Sequence, residues 1–151
     1  MTDAEERTPY VESPVITTVI RAVVPFVFVY GFYLTLHGTS LPGGGFQGGI
    51  VMGSTVVLIA LAFGLTPTRR WIDDGVLAAA LLFGVGAFGG VALGAIAFDG
   101  AVLEIAAYPL AVPYTAEFVE LAIGVLVAVV VVGLVVWIAA GVTADVGGDR
   151  P

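Results

Sequence analysis

Four long apolar runs decide what this chain can become. They extend from about Val15 to Leu36, Phe46 to Leu65, Gly75 to Phe98, and Phe118 to Ala140. Each is close to the roughly 20 residues that carry a helix across the hydrocarbon core of a bilayer. Inside lipid a segment has to satisfy its own backbone donors and acceptors, which selects helices. A transmembrane barrel needs short segments of alternating polarity, and these runs are continuous. Hydrophobic residues make up 59% of the chain and charged residues 11%, with a mean hydropathy of +1.08. Ordinary soluble domains carry about 25% charged residues. The expected fold is therefore an all-α membrane protein with four transmembrane helices in a single domain over residues 1–151. Polar, acidic tails are expected at 1–13 and 141–151, holding Asp3, Glu5, Glu6, Glu12, Asp145 and Asp149. The acidic N-terminus is unlike the basic start of a cleavable signal peptide, so the first run is expected to stay as a true span.

Composition also removes several functions. With no cysteine, there is no disulfide framework, thiolate metal site or iron–sulfur ligation in this chain. One histidine and no dinucleotide fingerprint leave nothing on which to build a resident redox cofactor. A formal net charge of −7 argues against nucleic acid as a partner.

The arginines set the topology. Arg7 and Arg21 lie at the start of the first span, Arg69 and Arg70 between spans two and three, and Arg150 after span four. The other two connections hold no Arg or Lys. An even number of spans puts every basic residue on one side, and the positive-inside rule then places both termini in the cytoplasm. The stretch His37–Gly49, with Asp99 and Glu104, falls on the outer side.

Small residues predict how the spans pack. Gly86, Gly90 and Gly94 recur every four residues, with Gly84 and Gly89 beside them, and Gly49 and Gly53 repeat the spacing in span two. Such spacing lets two helix backbones approach closely in lipid. The stripes are expected to pack this chain's own bundle or to receive a foreign helix. Pro25 is expected to bend span one or free a carbonyl. The segment from Asp99 to Glu117 is too short and too rich in proline for another span, and reads as an interfacial or re-entrant piece. Tyr108 and Tyr114 suit one headgroup level, and Trp71 and Trp137 the other.

Three side chains are candidates for ion chemistry. Glu117 and Glu120 stand three residues apart at the start of span four, on one helical face. Ionisable groups within spans usually face protein or water and carry function. An acid near a helix N-terminus is also stabilised by the helix dipole, so Glu117 reads as a solvated first-turn acid, and Glu120, about one turn deeper, as the stronger candidate. His37 is a possible proton carrier, because imidazole titrates near neutral pH. It reads equally as an interfacial loop residue.

The stretch His37-Gly-Thr-Ser-Leu-Pro-Gly-Gly-Gly-Phe-Gln-Gly-Gly49 admits three readings. A phosphate cradle of the P-loop kind needs a preceding strand and a Gly-Lys pair, and the chain has no lysine. A flexible linker is at odds with Leu41, Pro42 and Phe46 among the glycines. What remains is a fixed, tight return of the chain, in which glycine adopts conformations closed to other residues.

Pro25 to Ser54, "PFVFVYGFYLTLHGTSLPGGGFQGGIVMGS", resembles the MnhB/MrpB family, one of the membrane components of the Mrp-type, or Mnh-type, multisubunit Na⁺/H⁺ antiporters. Pro42, Gly43, Gly44, Gly45 and Phe46, followed by Gly48 and Gly49, carry the resemblance. An acid near the start of the last helix, matched by Glu120, adds to it. Gln47 departs from the apolar residue often found at its position. The resemblance implies a subunit of a secondary antiporter that exchanges cytoplasmic Na⁺ for external H⁺ in a prokaryotic cell membrane. It implies other antiporter subunits and the lipid bilayer as partners, and no cofactor beyond the transported ions. The implied task is to hold neighbouring subunits together and to lend Glu120 to the cation path. Two alternatives stay open: the equivalent subunit of a redox-driven complex such as a membrane-bound hydrogenase or a complex I-like enzyme, and a purely structural subunit.

Overall fold

A computed structural model describes residues 13–148. Asp3, Glu5, Glu6, Glu12, Asp149, Arg7 and Arg150 lie outside the described residues. Five helices follow one another: α1 (Pro14–Leu36), α2 (Gly45–Phe63), α3 (Leu65–Trp71), α4 (Asp74–Gly94) and α5 (Val112–Gly148). Short 3₁₀ turns at Ala95–Phe98 and Ile105–Ala107 lie between α4 and α5. Four of the helices are long and apolar enough to cross a membrane, and no strand occurs among the described residues.

Local chemistry sets the helix starts. Ser13 precedes α1, its hydroxyl accepting from the Ile16 N–H, and Pro14 fills the first helical position, where the missing N–H is no loss. Asp73 caps α4 by accepting from the backbone N–H groups of Gly75 (2.7 Å) and Val76 (3.1 Å). Losing such a cap costs about 1 kcal/mol. Asp73→Ala is therefore expected to lower the thermal midpoint of the detergent-extracted protein slightly, with transport unchanged. A large loss of transport would show that Asp73 does more than cap.

The main helices pack in the order α1, α2, α5, α4. The antiparallel pair α1 and α2 is fixed where the Gly44 N–H donates to the Leu34 carbonyl (3.1 Å), and α4 packs antiparallel on α5 through Gly84 against Ala122 and Leu126. Between them α2 and α5 run parallel in a four-residue ladder. Gly45 meets the backbone of Glu120, Gly49 that of Gly124, and Gly53 that of Ala128. The opposite side of α2 carries Gly48 and Met52 against Gly31 and Thr35 of α1. α2 is thus small on two faces, and the chain is built outward from it.

The core is made of small side chains. Thr35, Thr55, Ala62, Ala95 and Ala122 are buried, while Phe26, Leu82, Trp71 and Trp137 are exposed. A soluble protein would be arranged the other way round. In lipid no hydrophobic force draws large side chains inward, and close backbone approach supplies the dispersion that holds helices together.

Several expected boundaries move. The last helix begins at Val112 rather than near Phe118, because Pro113 sits at its second position, where proline is tolerated. It continues through Gly148 rather than ending near residue 140, so 141–148 is helical. The connection between spans two and three holds the short helix α3. The glycines of span three divide: Gly84 packs on α5 and Gly94 lies near the Tyr108 hydroxyl, whereas a β-carbon on Gly86, Gly89 or Gly90 would meet nothing within 4 Å.

Candidate functional site beneath the glycine turn

The two features that the sequence keeps far apart, the glycine stretch and Glu120, are in contact. α1 ends at Leu36 and His37 caps it, its backbone N–H donating to the Tyr33 carbonyl. His37's own carbonyl then accepts from the N–H groups of Ser40 (3.1 Å) and Leu41 (2.8 Å), which turns the chain back. Gly43 and Gly44 follow with φ of 151° and 139°, a region that L side chains rarely adopt. Gly45 opens α2. Glycine is required at Gly43 and Gly44 by backbone conformation, and at Gly45 and Gly48 by proximity.

Glu120 lies eight residues into α5, about 12 Å along the axis from its start. Helical side chains lean toward the N-terminus of their helix, so its carboxyl group extends back along α5 and under the turn. A β-carbon on Gly38 would overlap Oε2 of Glu120, and one on Gly45 would overlap the Glu120 backbone carbonyl. The space above Gly44 is ringed by oxygens: a β-carbon there would stand 3.3 Å from Oε1 of Gln47 and 3.8 Å from each carboxylate oxygen of Glu120. Three glycines without side chains thus make the pocket that the acid occupies.

Oε2 of Glu120 is buried and meets no hydrogen-bond donor among the described residues. An ionised oxygen in an apolar bundle without a donor is costly. A proton or a small hard cation relieves that cost, and carboxylate and amide oxygens are the ligands such a cation takes. No group of three or more His, Asp or Glu side chains able to hold a metal ion occurs among the described residues. The site therefore offers one carboxylate with an amide oxygen nearby, which suits passage of an ion more than its retention.

The other candidates separate from this one. Glu117 is half-buried in the second turn of α5, because the helix starts earlier than the apolar run suggests. His37 is half-buried, and its ring stacks on Tyr33 (centroids 4.1 Å apart, planes at 25°) with Nδ1 3.1 Å from the Tyr33 carbonyl oxygen. Its imidazole is thus turned onto its own helix. Pro42 and Phe46 are exposed at the edges of the turn, and Gly49 continues the ladder against α5. Sequence reasoning missed Gly38 and Thr35. Thr35 is fully buried, donating to the Gly31 carbonyl (3.1 Å), and its side chain fills the space left by Gly48 and Gly124. A buried threonine four residues after a glycine in an apolar run is the signal that could have found it.

Known proteins point the same way as the geometry. Residues 15–142 match the family described as a domain related to the MnhB subunit of Na⁺/H⁺ antiporter. The chain is 35% identical over 81 residues to a Bacillus subtilis protein named as the second, or B-type, component of a Na⁺/H⁺ antiporter, an alignment covering 49% of this chain and 57% of that protein. It is 49% identical over 49 residues to a protein of Staphylococcus saprophyticus named as an antiporter subunit mnhB2, covering 32% of this chain and 35% of that protein. A Staphylococcus aureus protein of the same name is 43% identical over 49 residues, with the same coverage. These alignments thus span between about a third and rather more than half of the relatives' lengths. Four apolar helices and a family match over most of their length lead to one conclusion: this chain belongs to the MnhB-related family of Na⁺/H⁺ antiporter subunits.

Proposed function

We propose that this chain is a membrane subunit of a multisubunit cation/proton antiporter, exchanging cytoplasmic Na⁺ for external H⁺ across a prokaryotic plasma membrane. In this reading both termini face the cytoplasm, and the glycine turn and Glu120 face the outer half of the bilayer. Its partners are the other subunits and the lipid around them. The observation that carries a role in ion transfer is the Glu120 carboxyl group beneath Gly38 and Gly44, with Oε2 buried and facing no donor. A proton and Na⁺ competing for that one carboxylate would couple opposite movements of the two. The rest of the chain serves assembly, since it carries no lysine and no second acid with a buried, unpartnered oxygen among the described residues.

Glu120→Gln tests the reading, because it keeps the volume and removes the charge. In everted membrane vesicles, Na⁺-driven dissipation of a pH gradient is expected to fall at least about tenfold, while the complex isolated in mild detergent keeps its full set of subunits. Normal exchange by an assembled Glu120→Gln complex would remove Glu120 from the ion path and leave the chain a structural subunit.

A further inference from the structure

At the opposite end of the bundle, α1, α2 and α3 enclose a groove of about 580 Å³. Its lining is apolar along Ile20, Val24, Ile59 and Phe63, and it is joined by Arg21 and Trp71. The Arg21 guanidinium carbon lies 5.1 Å from the centre of the Phe63 ring. Phe63 is the last residue of α2, so the charge sits level with the end of that helix rather than in mid-span. Trp71 is 88% exposed, as an aromatic at the headgroup level is expected to be. Among the described residues the one ion pair joins Arg69 to Asp74, so Arg21 has an aromatic ring, not an acid, as its neighbour.

We propose that this groove binds an anionic phospholipid, its phosphate on Arg21 and one acyl chain along Val24, Ile59 and Phe63. An apolar slot with a cation at its headgroup end matches that molecule part for part. Basic pockets between membrane helices on the arginine-rich side bind anionic headgroups for this reason. A helix from another subunit fits less well. It would bury the Arg21 charge and would have to bring an acid to the same level, whereas the lipid brings its own anion and leaves the guanidinium at the interface.

The test uses the purified complex that contains this chain, held in phosphatidylcholine nanodiscs with phosphatidylglycerol bearing a photoactivatable group in its acyl chain. Labelling is expected on Val24, Ile59 or Phe63. Unlabelled phosphatidylglycerol is expected to compete about fivefold better than phosphatidylcholine, the advantage that one interfacial arginine confers. Arg21→Gln is expected to abolish that advantage and Arg21→Lys to keep most of it. Equal competition by the two lipids overturns the proposal, and does so on the unmodified complex even if Arg21→Gln fails to assemble. Unchanged preference in an assembled Arg21→Gln complex overturns it as well. So does crosslinking of the groove to another subunit, which would show protein as the occupant. Competition by free glycerol phosphate as strong as by the lipid would mark a simple anion site and reject the acyl-chain slot.

Discussion

Replacing Gly45 with alanine is expected to strip the membrane of assembled subunit. The added methyl would overlap the backbone carbonyl of Glu120, with the carbonyl carbon 2.8 Å and the α-carbon 3.0 Å away. All three atoms are backbone, so no rotamer change relieves the overlap, and α2 has to part from α5. Overpacking of this kind costs typically about 1–3 kcal/mol. Here the upper end is expected, because the displaced contact is one rung of a ladder that continues through Gly49 and Gly53. Gly133→Ala in α5 is the control, since a β-carbon there would meet nothing within 4 Å. Quantifying the tagged subunit in membranes and in the detergent-extracted complex decides the matter. Gly45→Ala at control levels in both fractions would refute the parallel ladder.

The ladder also shows which parts of the fold can be read from sequence. Span number, approximate boundaries and helical form follow from apolar length alone, because lipid imposes one backbone solution. Gly49 and Gly53 reveal themselves through their spacing. Their partners do not: Gly124 and Ala128 lie among valines in a run with no periodic contrast. In lipid the buried face is not more apolar than the exposed one, so hydrophobic periodicity, the usual guide to a core, says little. The same reason explains why Gly86, Gly89 and Gly90 could not be told from Gly84 until α5 was in place.

Glu120 is a different case. Its residue type and apolar surroundings mark it in the sequence as the strongest candidate acid. Its depth depends on where α5 begins, and apolarity misplaces that start by passing over Val112–Glu117, whose polar residues and Pro113 look like a loop. Its neighbours depend on the parallel pairing of α2 with α5, a contact between segments about 75 residues apart. A glycine turn and an acid were each legible, and the pocket they form was not.

Gly38→Ala tests that pocket with a mutation that leaves the acid in place. The new methyl would overlap Oε2 of Glu120 and lie 2.5 Å from the α-carbon of Gly44. One obstacle is the far end of a side chain and the other is backbone. The carboxyl group can swing away, while the turn has to shift by some tenths of an ångström. Exchange is therefore expected to fall at least about tenfold, with subunit incorporation reduced by less than in Gly45→Ala. Combining Gly38→Ala with Glu120→Ala removes the first obstacle and leaves the second. Incorporation of the double variant is expected to recover part of the loss seen in Gly38→Ala alone, a non-additivity that only groups in contact produce. Exchange by the double variant stays lost, because the acid is gone. Strictly additive losses in incorporation would mean that Gly38 and Glu120 do not touch, and the site would then reduce to an acid with no chamber around it.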